Sequence, residues 1–209
     1  MYLYHGTDTK FDYFELEALK KNRLDFGRGL YLSFSEEHAK SAGKRKASDR
    51  CGRHYIQNRQ SYLYTVDIKY RELANLLTAT SPYDGFLHPM KDILGKTYIF
   101  RIRVFGDSKE EIIDWANFIL ENRSNNHLRK REHFDFIVGP VADHRINSII
   151  NEEFVLKPFL DKDDEGIYKL AQEKLLNSKY DFTQLCATTE YAIALINNCL
   201  VGEGTPYVI

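Results

Sequence analysis

The chain has few cysteines, no long apolar run and no excess of either charge. Its three cysteines, Cys51, Cys186 and Cys199, form neither a CxxC pair nor an even disulfide framework, so we expect buried thiols in a reducing compartment. No apolar run reaches the roughly 18 residues that a membrane-spanning helix needs, and Tyr4-His5-Gly6-Thr7 stands where a signal peptide would have its apolar core. We therefore expect a cytoplasmic protein without a membrane segment.

The charge balance gives no global indication of a partner. Lys and Arg number 29 against 30 Asp and Glu, so nothing in the whole-chain charge favours nucleic acid or a membrane surface. Hydrophobic residues make up 43% and aromatic residues 13% of the 209 residues, which is enough for one core. We predict a single domain over residues 1–209.

Hydrophobic periodicity predicts an α+β fold with a mostly antiparallel central sheet and surrounding helices. Strands are predicted at residues 1–5, 29–33, 61–68, 98–105, 134–138 (closed by Gly139-Pro140) and 182–187. Helices are predicted from Ser33 or Ser35 onward, with Ser33 and Glu36 fitting a capping box, and at 107–123, 143–150 (with Asp143 as N-cap), 164–178 and 189–200. A turn-rich basic segment is expected after the first helix.

Two short motifs are the most informative part of the sequence. The first is Leu3-Tyr4-His5-Gly6-Thr7, which places a histidine and a glycine at the end of a short strand. The second is Asp25-Phe26-Gly27-Arg28-Gly29-Leu30-Tyr31-Leu32-Ser33. It is not the dinucleotide-binding fingerprint, because GxGxxG is absent and no βαβ unit surrounds the glycines.

Together these motifs resemble the nicotinamide-binding half of an ADP-ribosyltransferase of the histidine–tyrosine branch, which includes the poly-ADP-ribose polymerase and diphtheria-toxin catalytic domains. The whole chain resembles the bacterial family called domain of unknown function 3990. The resemblance implies an ADP-ribosyltransferase-like fold and an enzyme that takes ADP-ribose from NAD+. Its acceptor would be a macromolecule, protein or nucleic acid. One setting it implies is the toxin of a toxin–antitoxin pair, with an antitoxin protein as partner.

The resemblance implies roles for residues of both motifs. Cleavage of the nicotinamide–ribose bond passes through an oxocarbenium-like ribosyl cation, so the site must hold the nicotinamide ring and the ribose hydroxyls. His5, as a neutral ring, would contact the adenosine-side ribose, and Tyr31 would stack on the nicotinamide. Because an unperturbed histidine protonates near pH 6.5, activity should fall below roughly pH 6. Gly6 would offer backbone groups to the carboxamide of nicotinamide, because it has no Cβ to block close approach. The remaining cofactor-binding positions are Thr7, the glycines Gly27 and Gly29, which leave room for the cofactor, and Arg28, which could reach a phosphate or the acceptor.

The third catalytic position implied by the resemblance lies at the start of a late strand. Gln184, in Phe182-Thr183-Gln184-Leu185-Cys186-Ala187-Thr188-Thr189-Glu190, is the best match, and Glu190 is the alternative carboxylate. A glutamine cannot act as a general base, but it can hydrogen-bond the ribose 2′-hydroxyl. The resemblance associates such a change with transfer of a single ADP-ribose unit.

One position departs from the family pattern and keeps other functions open. The family has a second aromatic eleven residues after the motif tyrosine, and here that position is Ala42; Phe34 or Tyr55 could fill the gap. An inactive module that binds NAD+, ADP-ribose or nucleic acid is one alternative, and an NAD+ glycohydrolase with water as acceptor is another. The substrate depends on loops and not on the fold.

Local charge suggests an acceptor side. Residues 40–59 hold seven basic residues against Asp49, and a solvated face or a surface for an anionic acceptor would both explain them; they are Lys40, Lys44, Arg45, Lys46, Arg50, Arg53 and Arg59. The histidines after His5 lack metal-ligand spacing, so we predict no metal; they are His38, His54, His88, His127, His133 and His144.

Overall fold

The computed structural model describes residues 1–16, 24–50, 60–78, 81–91, 97–123, 134–142, 163–176 and 183–208. These residues form an α+β fold with one sheet of eight strands. The strands are β1 Tyr2–Thr7, β2 Leu30–Ser33, β3 Gln60–Asp67, β4 Tyr83–Lys91, β5 Thr97–Val104, β6 Phe136–Pro140, β7 Thr183–Ala187 and β8 Thr205–Val208. The α-helices are α1 Glu36–Arg50, α2 Arg71–Thr78, α3 Lys109–Arg123, α4 Asp164–Leu170 and α5 Glu190–Asn197.

The strand order across the sheet is β4-β5-β6-β7-β2-β1-β3-β8. Only β5 and β6 pair in parallel among the described strands, and the other neighbours are antiparallel. The mixed, mostly antiparallel sheet confirms the predicted α+β class. It also brings β7, from the end of the chain, next to β2.

Each face of the sheet carries its own apolar core. One face, called here the α5 face, buries Leu3, Leu32 and Leu185 in a cluster that includes Ile193 and Ile196 of α5. The opposite α3 face buries Ile137 and Cys186 in a cluster with Trp115 and Ile119 of α3. Because successive side chains of a strand alternate between faces, this division fixes the face of every residue in β1, β2 and β7.

The first helix is longer than predicted, and of its two predicted starts it uses Ser35 and not the capping box at Ser33. Ser35 caps α1, because its Oγ accepts the N–H of His38, whereas the Oγ of Ser33, at the end of β2, accepts the N–H of Ser35. The helix continues to Arg50, so the first part of the segment expected to be turn-rich is helical. Arg, Lys and Ala are good helix formers, which explains the extension.

Other elements differ from those that hydrophobic periodicity predicts. Pro140 is the last residue of β6, not a closing turn, and a strand end tolerates its missing N–H. Asp163 caps α4 by accepting the N–H of Gly166, and a π-helical turn, Ala171–Leu175, follows α4. The pattern did not indicate α2, β4 or β8. The predicted helix at 143–150, with Asp143, lies outside the described residues, as do 177–178, 182 and the stretch 51–59 that holds Cys51 and Tyr55.

Cys186 and Cys199 are free and buried, which confirms that these two are buried thiols. Among the described helices, none combines the length and the apolar character that crossing a membrane requires.

Helix α1 packs directly on β1 at Gly6. A Cβ built on Gly6 would lie 1.7 Å from the carbonyl oxygen of Ala39, and Gly43 of α1 approaches the same point. Only glycine permits backbone atoms this close. The contact therefore fixes the distance between α1 and the strand that carries His5.

We expect Gly6→Ala to destabilise the fold, because backbone atoms of α1 would have to move. Overpacking of this kind costs about 1–3 kcal/mol, measurable by urea unfolding. Gly85→Ala is the matched control on β4, since its added Cβ would meet only the end of the flexible Tyr83 side chain at 3.0 Å. Equal effects of the two substitutions would contradict a special contact at Gly6.

Candidate functional site

The three predicted catalytic residues lie on three neighbouring strands. His5 is on β1, Tyr31 on β2 and Gln184 on β7, and β2 pairs with both of the others. Ser33 lies opposite Gln184, and Tyr31 lies opposite Cys186. The ladder between β1 and β2 consists of one described pair, Tyr4 with Ser33.

His5 extends the contact between β1 and β2 with its side chain. Its Nδ1 lies 2.7 Å from the carbonyl oxygen of Tyr31. A carbonyl only accepts, so Nδ1 carries the proton and Nε2 keeps an acceptor lone pair. The ring lies on the α5 face, with the rings of Phe14 and Phe11 at centroid distances of 5.3 and 6.4 Å.

Burial keeps His5 neutral. The side chain is 7% exposed, and desolvation, with the charge of Lys46 as a second cause, lowers its pKa from 6.5 to about 3. The bond to Tyr31 opposes this shift without cancelling it. The loss of activity expected below about pH 6 from an unperturbed histidine is therefore not expected from His5.

Tyr31 braces the turn that precedes its own strand. Its hydroxyl donates to the carbonyl of Gly27 at 2.8 Å and accepts the N–H of Phe26 at 2.8 Å. Gly27 has a φ of +83°, a conformation that favours glycine. The ring of Phe26 stacks on Tyr31 at 6.2 Å with an interplanar angle of 8°. Burial, followed by the nearby Cys186 and Asp25, raises the pKa of the phenol, so it stays a donor.

The sheet separates the three predicted catalytic side chains into two groups. Tyr31 belongs to the α3 face, whereas its neighbours Leu30 and Leu32 belong to the α5 face. Gln184 shares the α3 face with Cys186, two residues along β7. His5 shares the α5 face with Leu3, and it meets Tyr31 only through the latter's backbone carbonyl.

The other predicted cofactor-binding residues have structural contacts of their own. The carbonyl of Gly6 accepts from Lys46 Nζ at 3.2 Å, and Thr7 Oγ1 accepts the N–H of Thr9. Arg28 donates from Nη2 to the carbonyl of Leu16 at 2.6 Å. Gly29 packs so closely that an added Cβ would lie 2.4 Å from the sulfur of Cys186.

Gln184 belongs to a buried polar network centred on Asp25. Its Nε2 donates to Asp25 Oδ2 at 3.0 Å, and Arg123 donates to Oδ1 from Nε at 2.9 Å and from Nη2. Asn122 donates to the backbone carbonyl of Asp25 at 2.7 Å. The sequence analysis quoted Asp25 in the second motif without giving it a role and did not single out Asn122 or Arg123. The sequence signal that could have identified Asp25 was an acidic residue at the start of a turn rich in aromatic and glycine residues.

The structure also places Phe34, a candidate for the second aromatic that Ala42 replaces, and Glu190, the alternative to Gln184. Phe34 packs against the core of the α5 face, away from the Tyr31 ring, and the aromatic ring beside Tyr31 is Phe26. Glu190 is the first residue of α5 and is exposed. Within the described residues, no group of three His, Cys, Asp or Glu side chains is arranged to hold a metal ion.

The described basic residues of 40–59 lie on α1. Lys44, Arg45 and Lys46 are exposed, and Lys40 pairs with Glu36 at 2.6 Å. Arg53 and Arg59 lie outside the described residues.

Comparison with known proteins gives no match to a family model, a curated protein or a solved structure.

The pKa of His5 predicts a pH dependence of stability. Between about pH 3 and 6.5, the unfolded chain binds a proton at His5 that the folded chain does not, so stability falls as pH falls through this window. We expect His5 alone to remove about 2 kcal/mol between pH 7 and pH 5. His5→Gln keeps a donor for Tyr31 but does not titrate. Urea unfolding of both proteins at each pH tests this, and parallel pH profiles would contradict it.

Tyr31→Phe separates the hydroxyl from the ring. It leaves a carbonyl and an N–H of the turn without their partner, and we expect a loss of about 1–3 kcal/mol in unfolding free energy. The matched control is Tyr83→Phe, whose hydroxyl donates to the carbonyl of Phe86 at an exposed site. That change should cost little unfolding free energy. A Tyr31→Phe protein as stable as wild type would show that the Tyr31 hydroxyl does not stabilise the turn.

Proposed function

We propose that the protein is a mono-ADP-ribosyltransferase that takes ADP-ribose from NAD+ and passes it to a macromolecular acceptor. One observation carries the proposal: His5, Tyr31 and Gln184 lie on the consecutive strands β1, β2 and β7. The two sequence motifs and the late strand are far apart in the chain, and that the strands carrying them are neighbours in the sheet supports the proposal. In this proposal the α+β fold is ADP-ribosyltransferase-like.

His5 has the chemistry needed to hold a ribose. Because Nδ1–H donates to Tyr31, Nε2 is the acceptor for a ribose hydroxyl. Its low pKa keeps this lone pair available at neutral pH. The bond to the Tyr31 carbonyl also fixes the orientation of the ring.

The three proposed catalytic side chains lie on opposite faces of the sheet. His5 lies on the α5 face, and Tyr31 and Gln184 lie on the α3 face. A ligand that contacts all three must therefore reach both sides of the sheet, which requires an elongated molecule such as a dinucleotide. This geometry favours an extended ligand such as NAD+ over a small one.

Gln184 supplies a hydrogen-bond acceptor but no base. With Nε2 bound to Asp25, Oε1 is the end available to a ribose 2′-hydroxyl. Holding that hydroxyl next to the reacting carbon favours the oxocarbenium-like transition state. Another group must then deprotonate the macromolecule that receives ADP-ribose, which agrees with transfer of a single ADP-ribose unit.

A second candidate function is a binding module without turnover, and two contacts favour it. The carbonyl of Ala39 fills the space beside Gly6, where the resemblance implies nicotinamide. Phe26 already covers Tyr31. Such a module would bind NAD+ or ADP-ribose, or nucleic acid through α1.

Labelled NAD+ distinguishes these functions. The protein is incubated with the label and a bacterial lysate, and label is then measured on protein, on nucleic acid and as free ADP-ribose. Transfer to either macromolecule supports the proposal. Release as free ADP-ribose alone identifies a glycohydrolase, and binding in calorimetry without turnover identifies the binding module.

Gln184→Ala tests the mechanism within the same assay. We expect transfer to fall by about tenfold or more, which corresponds to about 1.4 kcal/mol per factor of ten, with little change in the dissociation constant for NAD+. The matched control is Gln172→Ala, at an exposed glutamine of the π-helical turn, which should behave as wild type. Unchanged transfer in folded Gln184→Ala would remove Gln184 from the mechanism.

A further inference from the structure

The carboxylate of Asp25 is buried and saturated with donors. Asp25 is 5% exposed, and its two oxygens accept from Arg123, from the N–H of Ala142 at 3.3 Å and from Gln184. Every one of these partners is a donor. Three segments of the chain therefore converge on one acid.

This arrangement determines which way the Gln184 amide faces. An amide has a donor end and an acceptor end that differ little in shape. A carboxylate paired with Arg123 offers only acceptors, so it selects Nε2 and would repel Oε1. At 7% exposure, Gln184 has little freedom to turn away.

We propose that Asp25 is a positioning residue that fixes Gln184 with its carbonyl oxygen turned toward the substrate, and that this pairing is the reason why position 184 holds an amide. What that oxygen does in turnover rests on the proposed function. The orientation itself depends only on the charge and hydrogen bonding of the pair.

The pairing makes a carboxylate at position 184 unfavourable. Gln184→Glu would place a second carboxylate about 3 Å from Asp25, and two carboxylates at that distance cannot both ionise readily. Asp25→Asn in the same chain supplies an N–H donor to the new carboxylate while its Oδ1 still accepts from Arg123. The double variant therefore restores the donor–acceptor match between positions 25 and 184 with the same net charge, although the N–H of Ala142 loses its acceptor.

The test is a double-mutant cycle of Asp25→Asn and Gln184→Glu, read by urea unfolding and by NAD+ turnover. We expect each single variant to lower the unfolding midpoint at pH 7, and the double variant to recover part of the loss. Gln184→Glu should regain stability below about pH 5, where a carboxylate takes up a proton, and the double variant should not show this gain. Gln172→Glu is the matched charge control and should show neither effect.

Turnover measurements distinguish positioning of Gln184 by Asp25 from a role of Asp25 in stabilising its own turn. Asp25→Asn should lower turnover by about tenfold with little change in NAD+ affinity, because only the transition-state contact is lost. Asn122→Ala removes a bond to the backbone of the same residue without touching the carboxylate, and should keep the turnover of wild type once folded.

The outcomes are distinct. Strictly additive losses of stability, or equal losses of turnover in Asp25→Asn and Asn122→Ala, would overturn the positioning role of Asp25. If the cycle shows coupled stabilities but the wild-type protein neither transfers nor hydrolyses NAD+, the Asp25–Gln184 pairing is supported and the proposed function is overturned.

Discussion

The buried ion pair between Asp25 and Arg123 holds the surroundings of the candidate site together. It joins the turn before β2 to the last residue of α3, and the same carboxylate reaches Ala142 after β6 and Gln184 on β7. Removing one member of such a pair leaves an uncompensated buried charge, which costs about 3–5 kcal/mol. The turn before β2, which the Tyr31 hydroxyl contacts, and the amide of Gln184 both depend on this interaction.

A second constraint is the division of the sheet into two faces. His5 is covered by Phe11 and Phe14, and the backbone of each of these two residues is held by a different element. Tyr64 accepts from and donates to the backbone of Phe11, while Asn197 of α5 does the same for Phe14. The neutral state of His5 therefore depends on α5 and β3, whereas Tyr31 and Gln184 depend on α3.

Much of the fold was predictable because its signals are local. The alternation in β3 and β5 and the helical spacing in α3 identify these elements without tertiary information. Strand β4 escaped detection because Gly85 and Pro89 interrupt its pattern, and a register shift between Leu87 and Met90 accommodates the interruption.

The candidate site was predictable only in part, because its control is long-range. His5, Tyr31 and Gln184 were found from motifs, and their strands are indeed neighbours. Asp25 and Arg123 are 98 residues apart, and no local pattern connects them. Likewise, the low pKa of His5 comes from the packing of a loop and from a lysine on another element, and neither is visible in the spacing of residues around His5.

The glycine contact between β1 and α1 has a consequence for how this protein could diversify. Because Gly6 meets the backbone of Ala39 with no side chain between them, the register of helix on strand does not depend on the residues of the outer helix surface. Lys44, Arg45 and Lys46 are exposed on α1, and two of them, Lys44 and Arg45, could be exchanged without moving β1. Lys46 also donates to Gly6 and is less free to change. The inner surface of α1 would thus stay constant while its outer surface adapts to different partners.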